Sequence, residues 1–176
     1  MRLNQVMCAS VLAIAPLVHA APYICTPTSN TIAFGAYNPL TTSPWLDGTG
    51  SFVIACTDSG GNKNKTTTID YTVTLSGQAL RQLAPPSGTD RLNYNLFTDI
   101  GRNSTWGDGS GGTSVITGSV AVPGRSTAST LPINYYGRIT ASQDVSANSP
   151  GPAPTTYSQS LIMSVSCSVA GTAVSC

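Results

Sequence analysis

From Ile69 to Ser76 the chain alternates strictly. Ile69, Tyr71, Val73 and Leu75 are apolar, while Asp70, Thr72, Thr74 and Ser76 are polar. A two-residue period puts the two sets on opposite faces of an extended chain, so the stretch predicts a strand with one face buried. The same period recurs at Leu92, Tyr94 and Leu96, set against Asn93, Asn95 and Phe97. That strand runs into a turn-rich stretch ending in Trp106-Gly107-Asp108-Gly109, where one large apolar side chain stands among residues that tolerate unusual backbone angles. Further strands are predicted over Tyr23 to Pro27, Thr31 to Phe34, Ser51 to Thr57, Ser114 to Val122 and Ile133 to Ala141. The last runs from Tyr157 to Val169, with Leu161, Met163, Val165, Cys167 and Val169 on one face and mostly serines on the other.

Turn signals separate these segments. Thr41 to Gly50 predicts a loop, Asp58 to Thr66 an exposed hairpin loop, and Ser146 to Thr156 a loop rich in proline. After Gly171 the tail Thr172 to Cys176 is placed to fold back. Seven or so strands, no convincing helix and no internal repeat read as an all-β sandwich in a single domain. Composition agrees: charged residues make up 9% of the 176, every acidic residue is Asp, and Ser, Thr, Gly, Asn and Pro are abundant. With 40% hydrophobic residues the chain has enough apolar surface for a core.

Residues 1–20 read as a signal peptide for export through the Sec pathway, with Arg2 ahead of an apolar run from Val6 to Val18 and Val18-His19-Ala20 as the cleavage site. Cleavage between Ala20 and Ala21 leaves residues 21–176 as the domain. That run is too short for a membrane span, and no second such run exists. Loss of Arg2 leaves seven basic against seven acidic residues, so no electrostatic footprint for nucleic acid remains. The only histidine, His19, goes with the signal, which removes His-based triads and histidine metal sites.

Cys8 goes too, leaving Cys25, Cys56, Cys167 and Cys176. Four cysteines in an exported chain imply disulfides, and they allow three connectivities. Cys25 with Cys56 and Cys167 with Cys176 is favoured, because it joins each end of the chain locally; the crossed alternatives stay open. No Cys-x-x-Cys points to redox chemistry.

Candidate chemistry is thin. Asp90, Asp99 and Asp108 stand nine residues apart and lack calcium-loop spacing. Gly107 to Gly112 precedes a strand, not a helix, so it is a poor phosphate loop. Neither a catalytic residue, a metal site nor a cofactor is assigned. Trp45 and Trp106 are predicted in loops, either as caps on the sandwich or as surface contacts for a sugar or an apolar partner.

The order of these features resembles the spore coat protein U domain family. The residues that carry the resemblance are Phe34-Gly35-Ala36-Tyr37-Asn38-Pro39, Tyr71 to Gly77, Arg91 to Asp99, Trp106 to Gly109 and Thr156-Tyr157-Ser158. Members of that family include subunits of archaic chaperone–usher pili. The resemblance implies an incomplete immunoglobulin-like sandwich lacking its final strand, with an apolar groove beside the last strand that is lined here by Leu161, Met163 and Val165. It also implies a Cys25–Cys56 disulfide and a non-enzymatic, structural or adhesive role. The implied partners are a periplasmic chaperone, an outer-membrane usher and a neighbouring subunit that fills the groove by strand addition. The implied route leads through the periplasm to the cell surface.

Two departures from the family pattern bear on function. Only Ala21, Pro22, Tyr23 and Ile24 stand between the cleavage site and Cys25, too few to serve as a donor strand, which implies a place at the fibre tip or outside a fibre. The last strand reads Tyr157-Ser158-Gln159-Ser160 and the chain continues past it to Cys176. The alternative expectation is a self-complete coat or matrix protein, closed by its own tail, that binds sugars or surfaces through loop aromatics.

Overall fold

The structure, a computed structural model, describes residues 23–29, 31–38, 45–60, 63–77, 80–145 and 156–174. The expected signal peptide, its cleavage site and Cys176 lie outside the described residues. Ten strands are described: β1 (Tyr23–Ser29), β2 (Trp45–Asp58), β3 (Thr66–Leu75), β4 (Arg81–Leu83), β5 (Leu92–Phe97), β6 (Ile116–Pro123), β7 (Thr127–Ser129), β8 (Ile133–Thr140), β9 (Met163–Val169) and β10 (Thr172–Val174). They form two antiparallel sheets. One runs β1-β2-β8-β5-β4, with β7 also on β2; the other runs β10-β9-β3-β6. The protein is an all-β sandwich. The described residues contain no helix, and hence none that is long and apolar enough to cross a membrane.

The alternating segments supply the core. β3 buries Ile69, Tyr71, Val73 and Leu75, and β5 buries Leu92, Tyr94 and Leu96 from the opposite sheet. Phe52, Ile54 and Cys56 of β2 continue the inner face, as do Val120 and Val122 of β6. Cys25 and Cys56 are register partners in the β1–β2 ladder and form a disulfide. Cys167 is also disulfide-bonded; its expected partner, Cys176, lies outside the described residues.

Several expectations need correction. Thr31 to Phe34 forms no strand. Trp45 to Gly50 is not loop but the first half of β2, paired with β8 from Trp45↔Thr140 to Phe52↔Ile133. Gly48 and Gly50 gave that stretch its turn-like look, yet both are packing positions. A Cβ on Gly50 would stand 2.3 Å from Cζ of Tyr135, its register partner, whose ring lies across the bare backbone. Asp58 to Thr66 joins β2 of one sheet to β3 of the other, so it is a crossing between layers and not a hairpin. The strand expected from Tyr157 starts at Met163; upstream of it Ser158 makes an isolated bridge with Ala84. β4 and β7 were not expected.

Two stability measurements follow. Replacing Cys25 and Cys56 together by Ser removes a crosslink between positions 31 apart in sequence, and urea unfolding is expected to show a loss of about 3–4 kcal/mol. Gly50→Ala forces the ring of Tyr135 to move although it is packed against Trp106 and Phe52; the expected loss is about 1–3 kcal/mol, read as a lowered melting temperature.

Candidate functional site

The two sheets do not close on each other along their whole length. Between them lies an apolar cleft of about 930 Å³. Its walls are core side chains: Leu92, Tyr94, Leu96 and Ile139 from one sheet, and Leu75 and Met163 from the other. Trp106 and Tyr135 line it as well. Protein interiors are close-packed, and space of this size walled by core residues is unlike a finished interior.

Two irregular segments border the cleft. The first is Thr31 to Tyr37. Its Ile32 and Phe34 rest on Gly137, where a Cβ would stand 2.6 Å from the Phe34 ring, and Phe34 meets Tyr94 edge-on at 5.8 Å. The Tyr37 hydroxyl accepts a hydrogen bond from the Gln143 amide at 2.7 Å. The second is Thr156 to Leu161. It is tied at Ser158, whose amide and carbonyl both pair with Ala84, and again at Ile162, whose carbonyl accepts from the Ser76 amide. Between the ties, Gln159 accepts a hydrogen bond from the Tyr94 hydroxyl at 2.8 Å.

β9 borders the same cleft, and its two edges differ. One edge pairs with β3 from Met163 to Ser168. The other pairs with β10 only from Cys167 to Val169. Among the described residues, no strand covers that edge from Met163 to Ser166. A strand edge of this kind presents free backbone donors and acceptors to any extended chain that comes alongside.

Of the residues expected to line a groove, Leu161 and Met163 line this cleft, whereas Val165 packs against the core outside its wall. Trp106 is not a surface contact. It is 2% exposed, its indole N–H donates to the Val73 carbonyl at 3.2 Å, and its ring stacks on Phe52. The turn-rich stretch folds inward because its backbone finds partners on both sheets: the Trp106 amide donates to Leu96 and the Leu75 amide donates to the Gly107 carbonyl.

Trp45 is 49% exposed, on the outer face of its sheet. The Arg138 guanidinium lies 4.0 Å over its ring. Arg138 also grips Asp47 with two hydrogen bonds, at 2.8 and 2.9 Å, and Arg102 approaches the same carboxylate at 3.3 Å. The hydrogen bond from Arg138 is the main cause that holds the Asp47 carboxyl below its ordinary pKa, with the charges of Arg102 and Arg138 adding to it.

Sequence reasoning did not find Arg81, Tyr94 or Gln159 as cleft neighbours. Arg81 opens a three-residue strand, too short for a period to show, and an arginine in a polar stretch reads as solvated.

The Spore Coat Protein U domain model matches the sequence over residues 11–163. No curated protein matches it at a significant level.

The depressed Asp47 pKa has a consequence for stability. A carboxyl favoured as the anion in the folded state contributes fully above its unfolded pKa, and that contribution is lost as pH falls through the lower folded value. Stability is therefore expected to drop on acidification from about pH 5 to about pH 2. Asp47→Asn removes this share of the drop and costs about 1 kcal/mol near neutrality, measured as urea midpoints across that range.

Proposed function

The chain belongs to the Spore Coat Protein U domain family, and on that premise we propose that it is a structural subunit of a chaperone–usher surface fibre, built to receive a strand from another chain. The observation that carries the proposal is the open cleft beside the Met163–Ser166 edge of β9, which no strand covers among the described residues. An extended segment with alternating apolar residues satisfies both features at once. Its backbone pairs with β9 and its inward side chains fill the cleft. During export a periplasmic chaperone supplies that segment; after passage through the usher a neighbouring subunit does.

Export is part of the proposal. Removal of residues 1–20 delivers the chain to an oxidising compartment, and the Cys25–Cys56 bridge fits such a setting. The terminal position is the finer part. β1 is already paired from Tyr23 onward, so after cleavage at Ala20 only Ala21 and Pro22 stand ahead of it. The subunit then receives a strand without giving one, which suits the tip. The exposed Trp45 platform is the candidate adhesive surface. A self-closing tail is the second reading, favoured by the β10 hairpin; among the described residues that hairpin reaches only Cys167 to Val169.

The test is co-expression with the cognate chaperone followed by purification. The wild-type chain is expected to co-purify as a one-to-one complex. Leu161→Asp and Met163→Asp place a charge in the apolar cleft and are expected to lower recovery at least about tenfold, or about 1.4 kcal/mol. Trp45→Ala, on the outer face, leaves recovery unchanged. A chain that folds alone and never captures chaperone overturns the proposal. The intact mass of the exported protein reads the cleavage site directly.

A further inference from the structure

Arg81 is the least satisfied charged group described in the molecule. It opens β4, opposite Tyr94, and is 2% exposed. Its Nη2 donates to the Trp106 carbonyl at 2.6 Å. Its Nε and Nη1 are buried and find no hydrogen-bond partner among the described residues. The ion pairs among the described residues join Asp47 to Arg102 and Arg138, none of them to Arg81. A guanidinium does not deprotonate in a protein, so the charge cannot be shed. A buried cation without a counter-ion is strongly disfavoured, and buried donors left unmet call for an explanation.

Its position supplies one. Trp106, whose carbonyl it meets, and Tyr94, its register partner, both line the cleft. A Cβ on Gly77 would lie 3.5 Å from Arg81 Nε and 3.8 Å from Leu161 Cδ2, with no other contact within 4 Å among the described residues beyond its chain neighbours. The bare Gly77 thus leaves a gap that Nε and Leu161 flank together. Leu161 lines the cleft and sits in the irregular stretch between the Ser158 and Ile162 ties. The gap beside Nε is thus bounded by a side chain that also walls the cleft.

We propose that Arg81 receives a carboxylate carried by the donated segment: the strand that enters the cleft bears one acidic side chain among its apolar ones, and it supplies the counter-charge and acceptor that Nε and Nη1 lack. This rests on the strand-receiving reading above and adds a sequence requirement to it. The apolar positions give affinity, and the single acid fixes which register, and which donor, is accepted. A desolvated cation discriminates strongly, because a donor without the acid leaves it unpaired.

The test uses the full exported chain and synthetic peptides of alternating Val and Thr, labelled for fluorescence anisotropy. The parent peptide carries no acid. In a matched series each inward position in turn is Glu or Gln. At one position, the Glu peptide is expected to bind at least about tenfold tighter than its Gln twin. That preference is expected to vanish in Arg81→Met and to persist, weakened, in Arg81→Lys. If the parent peptide binds but no position separates Glu from Gln by more than about threefold, the inference is overturned and the strand-receiving reading stands. If no peptide binds, both fall. Should Arg81→Met fail to fold, the Glu and Gln comparison on the unaltered protein decides the matter.

Discussion

The sandwich depends on a brace at residues 105–107. A single residue, Trp106, is tied to one sheet by its amide, which donates to Leu96, and to the other by its indole, which donates to Val73. Its neighbour Gly107 accepts from Leu75 of the second sheet. The ring then fills the space between the layers against Phe52 and Tyr135. Hydrophobic contact between sheets is non-directional, whereas these three hydrogen bonds set both spacing and offset. With the layers held at that point, they can remain apart beside it without collapsing. The cleft and the brace share Trp106.

The strands that were legible in the sequence are those with unlike faces. Ile69 to Leu75 and Leu92 to Phe97 alternate because one side meets the core and the other meets water. Where that contrast fails, so does the reading. Trp45 to Gly50 looks like loop because its glycines accept rings from elsewhere, which is a tertiary demand with no local trace. β4 and β7 are three residues each, shorter than any period can show. Trp106 sits in turn chemistry, and nothing local says that the turn folds inward. Gly107 is required there because a Cβ would strike Thr113 at 2.6 Å, again a contact made only in three dimensions.

The same division holds for the cleft. The apolar side of Tyr157 to Val169 was legible in the sequence, and its Leu161 and Met163 stand at the cleft. The opposing wall was not, because it is assembled from β5, β8 and the Thr31 to Tyr37 segment. Arg81 was invisible for a sharper reason. Sequence assigns arginine to solvent by default, and only burial together with the absence of a partner makes this one informative.

The pairing of Cys25 with Cys56 has a mechanical meaning. The two residues face each other in the β1–β2 ladder, and Cys25 is the third residue of β1. Tension applied to the chain ahead of Tyr23 can unzip Tyr23 and Ile24, but it then meets a covalent bond. From there the load enters β2, whose 14 residues carry it across the sheet to β8. The protein is therefore reinforced against peeling from its N-terminal end, and a pull at that end would stretch the sandwich before it could strip its first strand.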